Sequence, residues 1–196
     1  MALCLWAVNA PAAVRPAAAV LISAPSGGNP EVGVWAPTIQ VVHPASLPDA
    51  AGCLLDPSCQ LAADPSAAAD PGYGGAVAAA AALSGSDPAA GAPPGVSGAS
   101  GGLAYALALS GQASATSLGG PVAATGVVAA DGSVQPVAGV ESKVLSAADT
   151  GASYLLVPAG QGGPGLPERV EVSTLRQAWD AVCSRGGSGP LCEEGT

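Results

Sequence analysis

The chain has 196 residues and a formal net charge of −9, with five basic side chains against fourteen acidic ones. Phosphate binding needs a basic surface, so this balance argues against nucleic acid as a partner and against anionic membranes. Hydrophobic residues make up 49% of the chain, mostly Ala and Val with no Phe, so a core of small side chains has to rely on close backbone packing.

The chain opens with an Ala/Pro-rich stretch, 1–17, that gives no clear element. Within it, residues 2–8 are apolar but too short for a membrane helix, lack a positive flank and resemble a signal peptide only weakly. Residues 18–22 form a short apolar run that reads as a strand. The cluster Ser26-Gly27-Gly28-Asn29-Pro30 is a turn, and residues 32–42 form a second strand with an edge or bulge at Pro37. Together they predict a hairpin with a five-residue loop. Residues 43–71 read as a loop, punctuated by Pro44, Pro48, Pro57, Pro65 and Pro71. The alanine run 75–83 predicts a helix, and 84–96 is a Gly/Pro/Ser-rich lead-in.

Residues 101–110 predict a buried helix, with Ser97 or Ser100 near its start. Residues 122–129 are strand-like, Asp131-Gly132 is a hairpin turn, and 134–137 is the returning strand. Gly139 breaks that strand, and 140–148 reads as a helix carrying Lys143, the only lysine of the chain. A buried strand over 152–157, a loop over 164–169, and a last strand over 170–172 follow. Ser173 is the predicted cap of a helix bearing Leu175, Ala178, Trp179 and Val182 at spacings of three and four. The order is α+β: short strands and hairpins with packed helices, preceded by a Pro/Gly/Ala-rich irregular part. The expected division is 1–74, an N-terminal hairpin and loop region; 75–185, a core; and 186–196, a loose tail.

Five cysteines occur, at 4, 53, 59, 183 and 192. The close pairs 53/59 and 183/192 suit disulfides in an oxidising compartment, with free thiols as the alternative. Zinc would call for tighter spacing and more than one histidine, so no metal is expected. The cysteines lean towards an extracytoplasmic location.

Chemistry points to Gly98-Ala99-Ser100-Gly101-Gly102. Serine is a poor nucleophile until a base lies within reach, and glycines beside it let a substrate backbone approach. The string fits G-x-S-x-G, a weak signal in a chain so rich in these residues. His43, the sole histidine, precedes the serine closely and reads as a loop residue. Lys143 sits among Val140, Val144 and Leu145, with Glu141 two positions away on another helix face. A lysine serves as a base when burial lowers its pKa by several units.

Taken together, Ser100 to Leu109, Thr125-Gly126, the run Asp131-Gly132-Ser133-Val134-Gln135-Pro136-Val137-Ala138-Gly139-Val140-Glu141-Ser142-Lys143, Gly151-Ala152 and Leu155-Leu156-Val157-Pro158-Ala159 resemble the Lon protease proteolytic domain. The likeness covers about residues 75–183. It is greatest to the ATP-independent bacterial Lon-like proteases that often carry a PDZ domain. The resemblance implies a serine endopeptidase with a Ser–Lys dyad acting on a polypeptide, with no cofactor. Ser100 matches the nucleophile, Lys143 the base, and Thr125 a threonine that orients the lysine. Amides around Ala99 and Ser100 would form the oxyanion hole, and Ser100 Oγ is expected near hydrogen-bond reach of Lys143 Nζ. Ala99, Gly101 and Ala138 depart from the family's proline, alanine and glycine. A catalytically inactive domain used for binding or assembly is the alternative. Ring-shaped homo-oligomers are implied by analogy alone. The P-loop pattern G-x-x-x-x-G-K-[ST] is absent from the sequence, and no membrane insertion by this chain is expected.

Overall fold

The computed structural model describes residues 12–22, 33–42, 47–56, 58–62, 72–86 and 98–193. The fold is α+β, a mixed six-stranded sheet plus a two-stranded ribbon, with helices on both faces of the sheet. Strands β1 (Ala12–Ile22) and β2 (Val34–Val42) form the expected antiparallel hairpin. Its turn, 26–30, lies outside the described residues.

Two expectations for this half need correction. First, β1 starts at Ala12 rather than at residue 18. Alanine has little strand preference, but Ala12, Ala13 and Val14 are all buried, and burial outweighs propensity. Second, the stretch 43–71 is not all loop. It holds helix α1 (Leu47–Leu55) and strand β3 (Gln60–Ala62), which pairs with β1. A disulfide joins Cys53 to Cys59 between them. Pro48 reads as a breaker in sequence, but it sits in the first turn of α1, where the missing N–H has no helical acceptor to lose.

Pro37 has a similar account. The β1–β2 register slips between Ala17 and Val20, opposite Pro37, so the bulge is on the partner strand. The other neighbour of β2 is β4 (Val122–Ala124), which pairs with it only at Val34 and Trp35. Neither ladder therefore needs the amide that Pro37 lacks.

Next in the sheet come β7 (Tyr154–Pro158) and β8 (Glu168–Val172), both parallel to their neighbours. The sheet order is β3-β1-β2-β4-β7-β8. The ribbon is β5 (Val127–Val128) with β6 (Val134–Gln135), closed by the predicted Asp131-Gly132 turn. Gly132 has φ +82° there, as such a turn requires.

Alternation along β4 and β7 divides the core between the two faces. Val122, Ala124, Tyr154 and Leu156 face one side, with α2 (Gly74–Ser84), α3 (Gly102–Ala113) and α5 (Leu175–Cys183). Ala123, Leu155 and Val157 face the other, under α4 (Val140–Ala148). A Cβ added at Gly75 would lie 2.3 Å from Val128 O, so the small residues in this part of the chain buy contact between backbones. The cap of α5 is Thr174, not Ser173: Thr174 Oγ1 accepts from the Gln177 amide at 3.1 Å. Thr174 has the extended backbone that a cap needs. The tail is tied down by the Cys183–Cys192 disulfide, and its described part carries α6 (Pro190–Glu193). Among the described residues, no helix is long and apolar enough to cross a membrane.

Candidate active site

Sequence reading makes 122–129 one strand. The structure breaks it: β4 ends at Ala124, and Thr125-Gly126 form a step before β5. A Cβ on Gly126 would meet Val134 Cγ1 at 2.7 Å, so only glycine fits without a shift. The step docks onto the start of α3. Gly126 N donates to Ser100 O at 2.8 Å, and Leu103 N donates to Gly126 O at 2.9 Å. Gly102 allows the approach, since a Cβ there would lie 3.2 Å from Gly126 O.

Ser100 sits in the middle of a 3-10 turn, Ala99–Gly101, that leads into α3, and it is half-buried. Ala99 and Ser100 begin this turn, and the first amides of a helical segment have no acceptor within that segment. Gly98, just before, has φ +84° and ψ 141°, a conformation that glycine adopts easily.

Lys143 comes from the opposite face of the sheet. Gly139 opens α4 in the left-handed region, φ +68°, and its carbonyl accepts from Lys143 N at 3.0 Å. Val14 Cγ1 and Ile39 Cδ1 of the hairpin pack against this corner. The Lys143 side chain is 1% exposed. Its Nζ donates to Thr125 Oγ1 at 3.2 Å, and Thr125 Oγ1 donates to Ser100 O at 3.1 Å. Burial disfavours the ammonium and lowers the Lys143 pKa to about 8. Roughly one molecule in ten then carries a neutral amine at pH 7.

Glu141 is turned away from this centre. Arg169, buried on β8, donates to its two carboxylate oxygens at 2.6 and 2.5 Å. The guanidinium holds the Glu141 carboxyl below the usual carboxylate range.

Ser100, Thr125 and Lys143 are thus brought onto one hydrogen-bonded chain, with Ala99 beside it. Among the described residues, no hydrogen bond joins Ser100 Oγ to Lys143 Nζ; Thr125 links Lys143 Nζ to the Ser100 backbone carbonyl, not to Oγ. His43 lies outside the described residues, as does Ser97. Two neighbours were not legible in the sequence. Tyr73, ahead of α2, donates its hydroxyl to Gly98 O at 2.8 Å. Gln161 grips both backbone groups of Val137: its Oε1 accepts from the amide at 3.0 Å and its Nε2 donates to the carbonyl at 2.7 Å. A single aromatic or amide in a loop carries no periodic signal. Arg169 could have been suspected, since so few cations occur in the chain.

Two cavities, of about 270 and 530 Å³, lie at the other end of the parallel strands, around Gly119, Gly120 and Pro121. Neither is lined by any of the predicted site residues.

Residues 88–169 match the family model of the Lon protease (S16) C-terminal proteolytic domain. No curated protein matches the chain. The match spans Ser100, Thr125 and Lys143, and over that segment the chain carries a Lon-type proteolytic domain. Such a domain implies a peptidase and a polypeptide substrate.

Proposed function

We propose that this Lon-type domain is an ATP-independent serine endopeptidase with Ser100 as nucleophile and Lys143 as general base. The observation that supports it most is the environment of Lys143. The one lysine of the chain is buried, has a pKa lowered to about 8, and bonds to the threonine that holds the Ser100 carbonyl.

The chemistry follows from those groups. The neutral Lys143 amine takes the Ser100 Oγ proton as Oγ attacks the substrate carbonyl carbon. The C=O π electrons move onto oxygen, and the amides at the start of the 3-10 turn stabilise that oxyanion. Collapse breaks the C–N bond, the Lys143 ammonium gives its proton to the leaving amine, and an acyl-enzyme on Ser100 remains. Water, deprotonated by Lys143, then attacks the ester and releases the second product, with the proton returned to Ser100. The direct contact of Oγ with Nζ is left to the substrate complex, where catalytic hydrogen bonds often tighten.

The missing direct Ser100–Lys143 bond favours a second reading, an inactive domain used for binding. Casein hydrolysis and labelling by a fluorophosphonate separate the two. The endopeptidase reading requires labelling of the wild type at Ser100 and loss of cleavage in Ser100→Ala and Lys143→Met. Cleavage that survives both substitutions would sink the dyad, and a wild type that neither cleaves nor labels would support the binding module.

A further inference from the structure

Helix α4 opens without a cap of its own, because Gly139 at its boundary has no side chain to offer the first amides. Two side chains from the β7–β8 arm hold this entry instead. Gln161 bonds to both the amide and the carbonyl of Val137, two positions ahead of Gly139. Arg169 on β8 donates to both carboxylate oxygens of Glu141, in the first turn of the helix. The two contacts straddle Gly139, whose carbonyl accepts from Lys143 N at 3.0 Å.

Gln161 is itself held. It is the middle residue of a turn after β7 in which three successive amides are bonded. Gly160 N donates to Glu171 Oε2 at 3.0 Å, Gln161 N to Pro158 O at 3.1 Å, and Gly162 N to Glu171 Oε1 at 2.8 Å. Gly160 takes φ +77°, which glycine adopts easily. A side-chain amide that meets the N–H and the C=O of one residue makes the same pair of bonds as a neighbouring antiparallel strand. On the other side, the corner at Gly139 rests on Val14 and Ile39 of the hairpin. Apolar contact is non-directional, so the hairpin packs this corner, whereas the directional Gln161 bonds fix its height.

We infer that Gln161 is a positioning residue of the lysine helix: carried on the turn that Glu171 braces, its amide holds the backbone of Val137 and so fixes the depth at which α4 delivers Lys143 to Thr125. The effect on rate rests on the endopeptidase reading above. Gln161 acts through the backbone ahead of the helix, not on the reacting atoms. Its loss frees the entry of α4 and lets water approach the amine, which makes the ammonium easier to form. Few charges compete with this effect. Glu141 and Arg169 are paired with each other. Arg15 on β1 is exposed and interacts with Asp56, beside the Ser58 carbonyl that Ser142 reaches. Strands β2 and β7 carry no charged side chain, and Tyr154 of β7 lies on the other face of the sheet. Burial is what lowers the Lys143 pKa.

The test is Gln161→Met, which keeps the length of the side chain and loses both bonds. The chain has one lysine, so an isotope label on lysine gives a single NMR signal whose titration reads Lys143 in an active or an inert protein alike. The expected midpoint lies about 0.5–1 pH unit above that of the wild type. The rate follows: kcat/KM at about pH 7 falls roughly 3- to 10-fold, recovers towards about pH 10, and KM stays within about twofold. A purely structural role would instead lower the rate by the same factor at every pH. An unmoved midpoint in Gln161→Met overturns the inference. Glu171→Ala decides where that variant does not fold, because Glu171 is exposed on an edge strand. It should raise the midpoint by a smaller amount. Losing a carboxylate would by itself lower the pKa of a nearby amine, so a rise reports the loosened turn and not the charge. An unmoved or lowered midpoint there overturns the inference. A wild type inert to every probe removes the endopeptidase reading, and the titration still decides whether Gln161 sets the lysine.

Discussion

Helices α3 and α4 lie on opposite faces of the sheet and deliver Ser100 and Lys143 to the same end of β4, yet they are built on opposite terms. Helix α3 is buried from Gly102 through Gly111 and packs almost wholly through apolar side chains and backbone. Its buried Ser110 hydroxyl bonds to the Ala106 carbonyl and receives Trp179 Nε1 at 2.9 Å. Helix α4 exposes Glu141, Leu145 and Ala148, and buries three polar side chains, Ser142, Lys143 and Ser146. Each of the three has a partner outside the helix: Ser58 O, Thr125 Oγ1 and Thr38 N. Burial on the serine side stabilises the fold. On the lysine side it also tunes an amine, because a buried ammonium is disfavoured.

The largest effects should fall on chemistry and should ignore this difference. Ser100→Ala and Lys143→Met are each expected to lower kcat/KM for a peptide substrate by roughly 10⁴-fold or more. The double variant should be no worse than either single one, because groups acting as a unit are not additive. Steady-state kinetics on all three variants check this. A double variant that loses the product of the single effects would mean that the residues act apart.

Stability should then separate the helices. Leu107 on α3 is fully buried, and Leu107→Ala should cost about 2–5 kcal/mol in urea unfolding. Lys143→Met should behave differently, because its wild-type side chain carries a cost. In the folded chain the lysine titrates at about 8, well below its unfolded value. Between those two values the unfolded state binds more protons, so the stability of the wild type rises as pH rises from about 8. That gain, up to roughly 3 kcal/mol, should be missing from Lys143→Met, and the difference between the two proteins isolates it. The same titration sets activity. The kcat/KM should climb about tenfold per pH unit below 8 and level off above it. A flat profile between pH 6 and 9 would remove Lys143 as the base.

The same contrast explains what was legible in the sequence. Apolar periodicity and glycine punctuation marked α3, α4, β7 and the β5–β6 turn, because those elements are defined by local pattern. The pairing of Ser100 with Lys143 was read from the resemblance of the intervening segment to a family. The break at Thr125-Gly126 was missed, since the residues around it are all compatible with a strand. Only the contacts to Ser100 O and Val134 pull it out of line. The length of β1 and the existence of α1 were missed for a related reason. Alanines and prolines give weak or misleading local signals, and burial against α4 and the Cys53–Cys59 corner decides their conformation. Tyr73 and Gln161 act through single bonds to distant backbone, which no spacing rule reveals.

Thr125 stands between the two helices, and its substitution sharpens the comparison on a smaller scale. Thr125→Val removes the acceptor of Lys143 and one of two donors to Ser100 O, while Gly126 N still holds that carbonyl. The expected outcome is a loss of about 10- to 100-fold in kcat with the fold retained. Thr125→Ser keeps the hydroxyl and should recover most of it. If Val and Ser variants lose equally, the methyl packing matters and the hydroxyl does not.

The smallest effect tests whether α4 is only a carrier for its lysine. Strand β4 pairs with β2 at Val34 and Trp35 alone, so Thr38 lies beyond the reach of that ladder. Ser146 Oγ accepts from the Thr38 amide at 3.3 Å, and the helix thereby completes the edge that β4 leaves short. Ser146 is 3% exposed, so Ser146→Ala leaves that amide without its acceptor and should cost about 1–2 kcal/mol in urea unfolding. Because Ser146 lies three residues beyond Lys143, on a part of α4 that the Thr125 bond does not use, kcat and the rise towards pH 8 should stay within about twofold of wild type. A shifted pH profile in Ser146→Ala would mean that the seat of the helix on β2 sets the depth at which the lysine is buried. The hairpin would then join the serine turn and Thr125 as part of what tunes the base.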